Sequence, residues 1–233
     1  MPRVLVLHGF GNDEIPDHAM SIRSQCSALM RALPECDFVV PAHSQPWWRS
    51  TADGQVYNGF EATLAFLNEL GADRGFDGLV GFSQGAMLTA ILCGMGADSP
   101  IRGIQFALLF SGMKPRAAAL QPLFSKPIPI PTLHCFGASD VDVLPKQSIE
   151  LARHFMNRAR SAFGSIPRRS CCAIRKKSNR SQCPQPADRK EKERTEGRAD
   201  RAWVLAQVPG FNTSGWGRGV CVPCPSARRD ARR

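Results

Sequence analysis

Two glycines four residues apart hold this chain to a narrow set of folds. Gly81-Phe82-Ser83-Gln84-Gly85 closes the short run "DGLVG" (Asp77 to Gly81) and opens the longer segment "QGAMLTAILCGM" (Gln84 to Met95). The first has the length and composition of a buried strand, the second those of a helix. A turn this sharp leaves no room for side chains at either glycine, where the incoming strand and the outgoing helix crowd together. The serine between them is lifted clear of the sheet, as in a G-x-S-x-G nucleophile elbow. The first helical turn also presents free N–H groups and a positive dipole end. The Gln84 amide is therefore placed to bind an oxyanion.

The remaining pattern fits that elbow. "RVLVLHGF" (Arg3 to Phe10) reads as a buried strand entering a loop, and "DFVVP" (Asp37 to Pro41) as a short strand stopped by proline. "IQFALLFSG" (Ile104 to Gly112) and "IPTLHCFG" (Ile130 to Gly137) are further apolar strands. "MSIRSQCSALMRAL" (Met20 to Leu33), "GFEATLAFLNEL" (Gly59 to Leu70) and "KQSIELARHFM" (Lys146 to Met156) have helical spacing. Strands alternating with helices predict an α/β fold, a mostly parallel sheet covered by helices on both faces. Its chemistry belongs at the carboxyl ends of the strands.

Three further groups follow from that placement. The loop after the first strand, His8-Gly9-Phe10-Gly11, is expected to give the second oxyanion donor, the Phe10 amide, with His8 as a brace. "FGASDVDVLP" (Phe136 to Pro145) follows a late strand, where a Ser…Asp…His order puts the acid. Asp140 is the first choice and Asp142 the alternative; either can instead be a solvated loop carboxylate or the cap of the following helix. Trp47-Trp48 by itself reads as ordinary core or surface packing.

Charge divides the chain. Residues 1–157 carry 11 Lys/Arg against 14 Asp/Glu, whereas residues 158–233 carry 19 against 6, so the net +10 lies wholly in the last third. Five of the nine cysteines lie there too. Residues 158–233 read as a basic Arg/Ser/Pro/Cys-rich tail without a packed core, and residues 1–157 as the globular domain. Cys221 and Cys224 form a C-x-x-C, but no second pair or histidine completes a zinc site. Such a tail can attract nucleic acid or an acidic surface electrostatically, yet it has no specific recognition motif. No run of the sequence reaches the roughly 18 apolar residues of a membrane span, and "MPRVLVLHGF" has no leader pattern, so a cytoplasmic chain is expected.

"LHGFG", Trp47-Trp48, "FDGLVGFSQGAMLTAIL", "LLFSG" and "PTLHCFGASDVDVLP" together resemble the FSH family of serine hydrolases, over about residues 2 to 157. The resemblance implies a small α/β-hydrolase cleaving a small-molecule ester or thioester, without cofactor or metal. It implies Ser83 as nucleophile, Asp140 as acid, the Phe10 and Gln84 amides as oxyanion donors, and Trp47 and Trp48 at the acyl pocket. The family continues with another strand and a His-x-Gly-Gly-His loop carrying the base. Here "NRARSAFGSIPRRS" follows instead, and residues 158–233 contain no histidine. The expectation is a domain without its last strand and helix, and a serine without its usual base. The abrupt change has the pattern of translated intron or frame-shifted sequence. Of the five histidines, His18 and His43 come too early, His134 faces the core, and His154 reaches the site only if its helix is displaced. A non-catalytic binding protein is the alternative.

Overall fold

The structure, a computed structural model, describes residues 1–10 and 18–163. The zinc, nucleic-acid and mistranslation readings of the basic stretch fall almost wholly on residues 164–233, outside the described residues.

Strand β1 (Arg3–Leu7) leads to helix α1 (His18–Ala32) and then to β2 (Asp37–Val39). A small antiparallel pair, β3 (Arg49–Ser50) and β4 (Tyr57–Asn58), precedes α2 (Phe60–Gly71). Then come β5 (Gly78–Phe82), α3 (Gln84–Met95), β6 (Phe106–Phe110), β7 (Thr132–Gly137), α4 (Pro145–Ala152) and β8 (Arg158–Phe163). Among the described residues the main sheet has six strands in the order β2-β1-β5-β6-β7-β8, every neighbouring pair parallel.

Alternation along the strands makes two cores. In β1, Leu5 and Leu7 join the cluster that holds Phe60, Leu67, Leu88, Ile91 and Leu151 from α2, α3 and α4. Val4 and Val6 point the other way, to Ile22 and Cys26 of α1. Side chains two apart share a face, so each strand feeds both layers. Among the described residues no helix is long and apolar enough to cross a membrane.

One expectation fails at residues 158–163. The sheet does not stop at β7, because β8 pairs with it in parallel register, Thr132 opposite Arg158 through Gly137 opposite Phe163. The domain therefore runs past residue 157. The segment was missed because "RARSAF" has no continuous apolar run. As the last strand of the sheet among the described residues, it follows the rule of an edge strand instead: Ala159 is buried while Arg158 and Arg160 are exposed, putting charge along that side. The helix before it is shorter than the spacing suggests, ending at Ala152 so that Phe155 can bridge to Ile128.

Candidate active site

Ser83 sits at the carboxyl end of the central strand β5, as the residue before α3, with φ 52° and ψ −112°. A non-glycine backbone in that region costs on the order of 1–3 kcal/mol and persists only where its surroundings enforce it. Here its N–H donates to the Phe110 carbonyl at 2.9 Å, and its carbonyl accepts the Met87 N–H at 3.0 Å. The flanking glycines are required by contact. A Cβ on Gly81 would lie 2.5 Å from Thr89 Oγ1 and 2.6 Å from Ala86 Cα; one on Gly85 would run into the Leu7 and His8 carbonyls.

The loop after β1 packs against this elbow. A Cβ on Gly9 would lie 3.4 Å from Ser83 Cβ and 3.0 Å from the Phe82 ring. Phe10, 54% exposed, lines the same cavity as Ser83 and Gln84. That cavity is about 180 Å³, and Trp48, Ser50, Met87, Met113 and Val143 complete its wall. Two of the methionine sulfurs are tethered: Tyr57 Oη donates to Met87 Sδ at 3.6 Å and Gln147 Nε2 to Met113 Sδ at 3.4 Å.

The tryptophan pair divides its work. Trp47 is fully buried, its ring against both His8 and His43 with centroids 4.5 and 4.4 Å away, and the two imidazoles lie 5.7 Å from each other. Its Nε1–H donates to the His8 carbonyl at 2.8 Å, and its own carbonyl accepts the Thr63 hydroxyl. Trp48 stacks on Tyr57 at 4.8 Å and reaches the cavity wall. The buried Gln84 side chain joins the two, Oε1 accepting from the Trp47 N–H at 3.2 Å and Nε2 donating to the Trp48 carbonyl at 2.8 Å.

Asp140 lies just past the carboxyl end of β7. Its Oδ2 accepts from Ser111 Oγ at 2.9 Å, and its Oδ1 from the amides of Asp142 and Val143 at 3.0 and 3.1 Å. A carboxylate offers about four lone-pair directions, so capacity remains for one more donor. Asp142 is exposed and takes part through its amide. The same loop builds both parts of the site, since Val143 holds Asp140 with its N–H and walls the cavity with its side chain.

Among the described residues that line the cavity there is no histidine. His8 Nδ1 meets the Gly9 carbonyl at 2.7 Å, and His43 stacks on Trp47 and Phe66. His134 is buried in β7, its Nε2 3.1 Å from Thr132 Oγ1. His18 opens α1. His154 lies beyond the end of α4, where its Nδ1 meets the Phe124 carbonyl at 3.0 Å. Desolvation and then Lys114 hold its imidazole below the ordinary range. Its backbone carbonyl accepts from Ile128, ahead of the first residue of β7, whereas Asp140 follows the last. The length of a six-residue strand, roughly 20 Å, separates those two ends. The structure brings Ser83, Gln84, Phe10 and Trp48 together around one cavity, with Asp140 on an adjoining loop, and leaves His154 at the opposite end of the sheet.

Sequence reasoning missed Ser111, the carboxamide of Gln84 and the two cavity methionines. Ser111 had a signal: "LLFSG" ends a strand as "GFS" does, and the two strands are neighbours, Phe82 opposite Phe110. The methionines had none, because nothing in their spacing distinguishes a cavity wall from a core.

The family model "Serine hydrolase (FSH1)" matches residues 40–164. Esterase OVCA2 of Homo sapiens is 35% identical over 133 residues, 49% of this chain and 57% of that protein. Esterase GA18864 of Drosophila pseudoobscura pseudoobscura is 31% identical over 179 residues, 66% of this chain and 61% of that protein. The chain thus spans less than two thirds of the length of these relatives. Among solved structures, esterase PE8 superposes with a TM-score of 0.53 at 20% identity, over 70% of this chain and 82% of that one, a likeness of fold.

Proposed function

Because this chain belongs to the FSH1 serine hydrolase family, we propose that it is built to cleave a carboxylic ester or thioester through an acyl-enzyme on Ser83. The observation that carries this reading is the enforced backbone of Ser83 in the wall of a cavity lined mostly by apolar residues. In the proposed reaction Ser83 Oγ attacks the acyl carbon and its proton passes to a base. The carbonyl oxygen becomes an oxyanion held by the Phe10 and Gln84 amides. Collapse expels the alcohol or thiol with that proton, and water then releases the acid by the same route. Asp140 would orient the base and stabilise its charge. The acyl group sits against Trp48, Met87, Met113 and Val143. At about 180 Å³ the cavity is smaller than the roughly 300 Å³ at which ligand pockets for larger molecules begin, which favours a small acyl group.

One observation favours a second reading, binding without turnover. His154 is the sole histidine of this sequence after Asp140, and it is held at the far end of the sheet. A serine without a base is a poor nucleophile at neutral pH. A triad lacking one member retains only a residual rate from its oxyanion hole and binding. A fluorophosphonate separates the readings. Labelling of the folded chain that Ser83→Ala abolishes supports the hydrolase; a folded chain that stays unlabelled while taking up a small ester supports the binding protein.

A further inference from the structure

The two proposed oxyanion donors come from segments far apart in sequence, the loop after β1 and the first residue of α3. Their separation must be fixed before any substrate arrives, because preorganisation is what gives such donors their effect. The β1–β5 ladder fixes the two segments up to Leu7 opposite Gly81, three residues before each donor, and leaves the last residues to other contacts. What ties them is a short chain of hydrogen bonds through one dipeptide. Trp47 Nε1–H donates to the His8 carbonyl, two residues before Phe10, at 2.8 Å. The Trp47 amide donates to Gln84 Oε1 at 3.2 Å, and Gln84 Nε2 donates to the Trp48 carbonyl at 2.8 Å. All of these groups are buried, with Trp47 at 0% and Gln84 at 7% exposure. A buried amide that satisfies both its oxygen and its nitrogen on one dipeptide has little freedom left.

The geometry points to the Trp47 indole N–H and the Gln84 carboxamide as positioning residues that set the gap between the Phe10 and Gln84 amides. This inference rests on the reading of those amides as an oxyanion hole. Thr63 supplies the comparison. Its hydroxyl anchors the same Trp47 from the α2 side, at the main-chain carbonyl rather than the indole. If the network were ordinary packing, loss of the Thr63 anchor would act like loss of the indole N–H.

The test uses the full chain with Trp47→Phe, Gln84→Met and Thr63→Val. Trp47→Phe keeps an aromatic ring against His8 and His43 and removes the donor with the rest of the buried indole, so Gln84→Met, which keeps the side chain's length, controls for lost volume. The first readout is the backbone ¹⁵N order parameter of Gly9 and Phe10, which needs no reaction. The second is fluorophosphonate inactivation, resolved into its limiting rate constant and its half-saturating concentration. Expected are a drop in the order parameters of Gly9 and Phe10 in Trp47→Phe, with a limiting rate constant on the order of tenfold lower at an unchanged half-saturating concentration. Gln84→Met should behave similarly, and Thr63→Val should leave both readouts near the parent. Order parameters unchanged in Trp47→Phe, or an equal loss in Thr63→Val, overturn the inference. A parent chain that refuses the fluorophosphonate counts against the hydrolase reading, and the order parameters then decide the positioning role alone.

Discussion

Ser111 Oγ donates to Asp140 Oδ2 at 2.9 Å, from a backbone at φ 49°. Ser111 and Ser83 are the two non-glycine residues with positive φ among the described residues, and each directly follows one of two paired strands, β6 and β5. Ser111→Ala should destabilise the fold by about 1–2 kcal/mol, the worth of a partly buried hydrogen bond to a carboxylate. Ser111→Gly removes the same hydroxyl but relieves the left-handed backbone, recovering about 1 kcal/mol. Urea midpoints of the two variants, compared with the parent, check both figures.

Gly85→Ala should be far more damaging than a glycine-to-alanine change within a helix normally is. The added methyl meets the Leu7 and His8 carbonyls, which are backbone and cannot rotate away. The expected loss exceeds about 3 kcal/mol, the upper range for overpacking. Gly96→Ala, where a Cβ meets nothing within 4 Å although φ is 56° and ψ −117°, should cost only about 1–3 kcal/mol, the strain of that backbone alone. Thermal unfolding of the pair tests the ordering.

His134 makes stability depend on pH. Burial first, then Arg158 and Arg160, push its imidazole from 6.5 down to about 3. The unfolded chain therefore takes up a proton below pH 6.5 that the folded chain refuses until about pH 3. Its contribution is complete above pH 6.5 and is lost as pH falls through that window, by up to ~1.4 kcal/mol per pH unit. His134→Gln should flatten the fall of the urea midpoint between pH 6.5 and pH 4.5 relative to the parent.

Met113→Ala should lengthen the acyl group the cavity accepts. The side chain is half-buried and walls the cavity, so its removal deepens the space beside Ser83. Alkyl fluorophosphonates of increasing chain length should show a shifted optimum, with short probes little changed. An unchanged length profile would place the acyl group elsewhere.

The parallel sheet and the elbow were legible because each needs a pattern that few other folds produce. β1, β5, β6 and β7 are apolar runs, and Gly81 and Gly85 are demanded by contacts that any such turn creates. β8 was not legible, since Arg158, Ala159 and Arg160 follow edge-strand alternation rather than core composition. Nor was the Gln84 carboxamide, whose partners are main-chain groups of Trp47 and Trp48. A backbone acceptor leaves no mark on the residue that supplies it. Asp140 could be placed by order along the chain, but its grip by Ser111 depends on a backbone angle that no composition reveals.

The strand order has a kinetic consequence. β5 lies beside β1, with Val4 opposite Gly78, so the central pairing closes only after more than seventy residues have been threaded. Among the described residues no two neighbours in the main sheet are joined by a hairpin; every ladder waits on a crossover. Such a chain has high contact order and folds slowly, with apolar edges open while it waits. The elbow cannot preform locally either, because Phe110 of β6 and the carbonyls at the end of β1 are among the groups that enforce it. The residues around the cavity should therefore reach their positions last, and a chain arrested early in folding would hold helices and no site.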